Sequence, residues 1–196
     1  MSYNKNIWEK FAIETDGRFI DREEPWLSDK TELEYNGWKI YFDNYDITSG
    51  KYSATMTRVI VPFISVDDFR FEIYRDGFIR KIEKIFGSQD FKIGQENFDK
   101  AFIIKTNDEV KIRTLLQNQK LRNQIEAQNK VNIVISDQKG IWENRLPKGE
   151  LELIFYVDGE IDDFEILKSI LNLFKEMLDG LEQLNVMKKP ATNTLQ

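Results

Sequence analysis

Two arginines stand where strand patterning calls for apolar side chains. Arg58 alternates with Tyr52, Ala54, Met56 and Ile60, and Arg75 follows Phe69, Phe71 and Ile73 at the same two-residue period. Alternation puts each guanidinium on one face with its apolar neighbours, and a buried unpaired charge is very costly. Each arginine must therefore snorkel to water, pair with an acid, or hold an anion. The guanidinium fork suits the last two, because it matches carboxylate and phosphate geometry. Arg58 and Arg75 are the candidate anion or partner-binding residues of this sequence.

The other chemical candidates are weaker. Asp158, Glu160, Asp162, Asp163 and Glu165 could suggest a calcium loop, but Ile161 and Phe164 occupy positions where ligands would be needed. Acids gathered at a helix N-terminus account for the run. Asp67-Asp68 reads as a turn before the Phe69 strand. Gly87 and Gly94 are followed by no Lys-Ser or Lys-Thr, so neither a phosphate loop nor a dinucleotide fingerprint is present. Trp26, Tyr35, Trp38, Tyr41, Phe42, Tyr45 and Tyr52 could stack bases or sugars. Sheet packing explains them better, since aromatics favour strands and the interleaved cations are few.

The chain has no His and no Cys. That excludes a Ser-His-Asp triad, a thiolate nucleophile, a disulfide, an iron–sulfur cluster and the usual zinc sites. Carboxylate chemistry, Lys or Tyr bases and oxygen-held hard cations remain. No catalytic, cofactor-binding or metal-binding constellation is assigned, and no cofactor is expected. The formal charge of −6 argues against a general nucleic-acid binder. The longest nearly apolar run, Val59 to Val66, is far short of the ~20 residues of a membrane helix. No secretory leader pattern opens the sequence, so the expectation is a soluble cytoplasmic protein without a transmembrane segment.

The elements that must position these residues begin with a short helix over 4–14, from the spacing of Ile7, Trp8, Phe11 and Ala12. A loop surrounds Trp26 and Leu27. Thr31–Tyr35, Asn36-Gly37 and Trp38–Phe42 predict a hairpin with a two-residue type I′ turn, its Trp38, Ile40 and Phe42 on one face. A turn at Ser49-Gly50-Lys51 leads to a strand from Tyr52 to about Pro62. A further strand, Phe69 to Arg75, completes a first half read as an antiparallel meander. Phe78, Ile79, Ile82, Ile85 and Phe86 then predict a helix ending at Gly87. Extended segments follow at 90–93 and 101–105. Thr106 with Glu109 is read as a capping box opening one helix through Ala127. Strands are expected at 131–136, 141–145 and 150–157. The final helix is expected to be capped by Asp162, with Glu165 reciprocating and Ile161 stapled to Ile166. Its apolar stripe runs through Phe164, Leu167, Leu171, Phe174, Leu178 and Leu181, widened by Ile170, Met177 and Leu184. That width suits a helix packed on a sheet better than a strict coiled-coil seam.

The fold class is accordingly α+β: an antiparallel sheet packed against two or three helices, including a long C-terminal helix. One domain over 1–187 is expected, with 1–87 and 88–187 as possible subregions, and a disordered tail over 188–196. The blocks Gly37-Trp38-Lys39-Ile40, Thr57–Phe63, Phe69–Arg75 and Phe98-x-x-x-Phe102-Ile103-Ile104-Lys105-Thr106-Asn107-Asp108-Glu109, continued by Arg113, Leu115 and Leu116, carry a likeness. Over about residues 30–180 the chain resembles a group of uncharacterised bacterial proteins with a domain of unknown function. The resemblance implies a bacterial origin and brings no activity. Two functions fit these residues. One is a non-enzymatic binding or assembly module engaging a protein partner or itself. The other is a magnesium-dependent or carboxylate-based hydrolase using loop acids.

Overall fold

A computed structural model describes residues 6–23, 28–49, 52–75, 90–138 and 145–190. The first helix, α1 (Ile7–Glu14), is capped by the Asn6 side chain, which accepts from the Trp8 amide, and buries Trp8, Phe11 and Ala12. Four strands then follow in spatial order as a meander: β1 (Arg18–Ile20), β2 (Lys30–Tyr35), β3 (Trp38–Ser49) and β4 (Tyr52–Ser65). Asn36 and Gly37 both have positive φ, 49° and 77°, as a type I′ turn requires, and Tyr35 pairs directly with Trp38. Trp38, Ile40 and Phe42 are buried together.

The meander stops at β4. The next strand, β5 (Phe71–Arg75), does not join it; β7 (Asn132–Ser136) and β8 (Glu150–Asp158) lie between them, and β6 (Phe102–Thr106) forms the far edge. The first-half meander expected from the sequence is thus cut short by one strand. β8 takes the edge of β4 from Thr57 to Ile64, so a long ladder displaces the sequence-adjacent strand. Residues 66–70 can make the crossing. Three strand spacings are about 14 Å, and six Cα steps reach about 20 Å. Every strand pairing in this nine-stranded sheet is antiparallel. Strands from both halves of the chain alternate within it. Pro62 lies in the interval of β4 between the last rung to β3 at Ile60 and the first to β9 (Met187–Lys188) at Ile64, where a missing amide proton breaks no ladder on that side.

Register alone sorts the side chains. Thr31, Phe42, Val59, Phe155, Ile133, Ile73 and Ile104 form one continuous row across seven strands. That face holds the main hydrophobic core, together with buried side chains from α1, α2 (Glu96–Ala101), α3 (Glu109–Leu115), α4 (Gln119–Glu126) and α5 (Phe164–Gln183). Phe174 of α5 meets Phe155 edge-on at 6.4 Å, and Phe11 of α1 meets Phe42 at 5.1 Å. The expected α+β class holds. The stripe of α5 is buried within the chain itself, with Leu167, Ile170, Leu171, Phe174, Met177, Leu178 and Leu181 covered and Leu173 added to them. Gly180 lets α5 approach closely, since a Cβ there would stand 2.6 Å from Leu115.

Several local expectations are corrected. The cap of α5 is Asp163, whose carboxylate accepts from the Glu165 amide at 2.8 Å, and not Asp162. The one-residue shift undoes the staple: Ile166 is exposed while Leu167 turns inward. Thr106 does not cap a helix. Its hydroxyl accepts from the Asp108 amide, and Asp108 caps α3 through the Lys111 amide. The single helix expected to Ala127 is two, because Asn118 starts α4 with its own side chain on the Leu121 amide. Helix α2 was not foreseen; its Phe98 packs on Phe102 at 4.6 Å. Lys188, expected in the tail, belongs to β9. The helix expected over 78–86, the strand at 141–144, the loop at Trp26 and Leu27, the turn residues 50–51 and the tail from 191 lie outside the described residues.

Two substitutions test this frame. Gly37→Val should cost about 1–3 kcal/mol in chemical denaturation, because a β-branched residue is strained at positive φ. Asp163→Ala should cost about 1 kcal/mol, while Asp162→Ala should leave the midpoint unchanged. The reverse order would restore Asp162 as the cap.

Candidate functional site

All five described helices contribute to the core on one side of the sheet. The opposite face collects the charge. Asp43, Arg58, Glu72, Lys105, Asn132, Ser136 and Glu152 are buried there, whereas the buried Thr31 and Thr57 of the helix-covered face each satisfy their hydroxyls on backbone carbonyls, those of Trp8 and Gly159. Parity produces this division: Lys30, Asp43, Arg58 and Tyr156 succeed one another across β2, β3, β4 and β8, one residue out of step with the apolar row. A small apolar cluster sits beside them, made of Met56, Val134, Ile154 and Tyr156, with Tyr45 and Ile60 half-buried against it.

Arg58 is held tightly. Its Nε donates to Asp43 Oδ1 at 2.9 Å and a terminal nitrogen donates to Oδ2 at 2.8 Å, a bidentate fork. The guanidinium also lies over the Tyr45 ring, 4.4 Å from its centroid. Burial works to lower the Arg58 pKa, but the two Asp43 bonds outweigh it, and the net direction is upward. Arg22 reaches the same Asp43 Oδ2 at 3.5 Å. Lys30, directly across the strand pair from Asp43, places its ammonium 4.6 Å over the Tyr41 ring. Burial and then the Arg22 charge hold its pKa below the ordinary lysine value. Next along the face, Glu32 accepts on both oxygens from one Arg18 terminal nitrogen at 3.0 Å and faces Lys39 at 3.6 Å. Burial alone would raise the Glu32 pKa; these cations reverse it and hold it low.

Arg75 is on the other face. It donates to the carbonyls of Glu126 and Gln128 at 3.0 and 2.8 Å, and its guanidinium stands 4.7 Å over the Phe102 ring. A cation on the last carbonyls of α4 complements the negative end of that helix. The structure therefore separates the two sequence candidates: Arg58 belongs to the charged face, and Arg75 ties α4 to β5. They share no site.

The acidic residues singled out in the sequence are engaged locally. Asp67 accepts from the Phe69 amide and meets Lys111 at 2.6 Å, and Asp68 takes both bonds of Arg70. Asp163 caps α5, while Gly159 between the acids pairs with Thr55 and Thr57 through its backbone. Among the described residues no group of three or more carboxylates is placed to hold a metal ion. No described helix is long and apolar enough to cross a membrane.

Asp43, Arg22, Lys30 and Tyr156 were not picked out from the sequence. The signal for Asp43 was there: with Ser49 opposite Tyr52, counting back along both strands sets Asp43 opposite Arg58. Comparison with known proteins adds nothing to this geometry: no family model, no curated protein and no solved structure matches the chain.

Arg58→Met should destabilise by about 3–5 kcal/mol, since it strands the buried Asp43 carboxylate. Arg58→Met with Asp43→Val should recover most of that loss in the same denaturation assay. A double variant as unstable as the single one would show that packing, not charge, dominates at this position.

Proposed function

We propose that this chain is a non-enzymatic binding module that docks an acidic segment of a protein partner on the charged face of its sheet, along β2, β3 and β4. The observation that carries this reading is the accessible part of that face: the half-buried Tyr45 and Ile60 beside the cations Arg18, Arg22, Lys30 and Lys39, opposite the face occupied by the helices. Tyr45 and Ile60 are half-buried against the Met56–Val134–Ile154–Tyr156 cluster. Arg18, Arg22, Lys30, Lys39 and Arg58 meet Glu32, Glu34 and Asp43 on β2 and β3, with the buried Glu152 of β8 on the same face, in a chain of net charge −6. Such local inversion of charge favours an acidic partner and disfavours packing this face against the same face of a second copy.

The sheet edges support a face rather than an edge as the docking surface. β1 is three residues long, and the outer side of β6 is bridged by Phe91, whose amide donates to Ile104. Short or covered edges resist strand addition. The part-exposed Tyr45 and Ile60 beside the more exposed cations follow the usual division between affinity and steering in protein interfaces.

The test is fluorescence anisotropy with a labelled peptide of mixed glutamate and tyrosine. Saturable binding that weakens with added salt and falls at least tenfold in Ile60→Asp is expected. Absence of binding by the wild type, or binding indifferent to Ile60→Asp, would remove the reading. Sedimentation of the unliganded protein should give a monomer. A dimer that Ile60→Asp dissociates would make the occupant a second copy instead.

A further inference from the structure

The row Lys30–Asp43–Arg58, with Arg22 above it, contains more positive charge than its own carboxylate can neutralise. Both Asp43 oxygens are committed: Oδ1 to Arg58 Nε, and Oδ2 to Arg58 and Arg22 together. The neighbouring acids are committed as well. Glu32 accepts on both oxygens from one Arg18 terminal nitrogen, Asp29 accepts from the Asn6 side chain and the Arg22 amide, and Glu152 of β8 has partners of its own. Among the described residues Lys30 meets a ring face and no carboxylate in ion-pair reach, though it is half-buried and beside a guanidinium. Arg22 and Arg58 thus share one carboxylate in direct contact, with Lys30 beside them and Glu32 and Glu152 acting only at longer range. Burying like charges together is costly unless a counter-charge arrives, and the guanidinium fork and the ammonium both suit oxyanions.

We infer that Arg22, Lys30 and Arg58 form a binding site for an oxyanion group, phosphate or carboxylate, with Asp43 as the internal counter-ion that aims the two guanidiniums. Asp43 is 2 % exposed and the Arg58 side chain 10 %, so the base of the site is fixed by burial. Arg22 and Lys30 stand nearer solvent and supply the donors that a ligand reaches. This site deepens the docking proposal, since it lies on the same rim and would seat one acidic group of the partner. Its chemistry does not depend on the apolar floor.

The experiment uses inorganic phosphate and, separately, the glutamate-containing peptide, each against chloride of equal ionic strength. Phosphate at ten times its dissociation constant should raise the wild-type melting temperature by about 3–6 °C. Lys30→Met and Arg22→Met, at positions close to solvent, should fold and lose the response. Ile60→Asp should keep it while losing the peptide, which separates failure of the docking face from failure of the anion site. Peptide binding lost in Lys30→Met, with no phosphate response, would assign the site to carboxylates. A melting curve moved by neither probe, or a phosphate shift retained in both Lys30→Met and Arg22→Met, would overturn the proposal.

Discussion

The ladder between β4 and β8 decides which side of the sheet each central strand presents. Its rungs run from Thr57 opposite Val157 to Ile64 opposite Glu150, placing Val59 beside Phe155 and Arg58 beside Tyr156. A slip of one residue would exchange the faces, carrying Arg58 and Asp43 into contact with the helices and Val59 out of the core. The apolar row from Phe42 to Ile104 makes that slip prohibitively costly, because Phe42 and Val59 would leave it together with Trp38, Ile40, Val61 and Phe63 of the same two strands. Charge on the second face is therefore specified by hydrophobic packing on the first.

The ion pair of Arg58 and Asp43 has a meaning that follows from this placement. A buried bidentate pair contributes little net stability relative to apolar residues of similar size, yet breaking it is expensive. Its value lies in direction. It fixes a guanidinium against the Tyr45 ring and makes one carboxylate the hub for Arg22 as well. Tyr156, next along the row, has a buried hydroxyl with no hydrogen-bond partner, and burial pushes its pKa up. Arg75 shows the contrasting solution: the same residue type on the helix-covered face is satisfied by the carbonyl end of α4.

Much of the fold could be read along the chain where a local signal carries its own partner. Asn36-Gly37 predicts both its turn and its register, and the α5 stripe predicts its burial, because each depends on residues close in sequence. The errors are of two kinds. Caps moved by one or two residues, from Asp162 to Asp163 and from Thr106 to Asp108, since several acids and hydroxyls in a row compete for the same amides. Strand neighbours went wrong at β5, whose partners β6 and β7 lie far along the chain. The candidate site shared both fates. Arg58 was legible as a charge out of place, and its partner could be found by extending hairpin register. Arg75 looked equivalent from its own strand, because nothing local to residues 69–75 states that a helix C-terminus will meet it.

The insertion of β8 beside β4 also has a consequence in time. β4 ends at Ser65 and β8 begins at Glu150, so about 85 residues separate the two edges that must meet. At ribosomal rates of about 5–20 residues per second, the nascent meander waits roughly 4–17 s with the long side of β4 open. During that interval the strand that ends the wait is still being synthesised, and the exposed edge is a template for pairing with any other extended chain. How that edge is shielded during synthesis then bears on the yield of folded protein, beside the stability of the finished sheet.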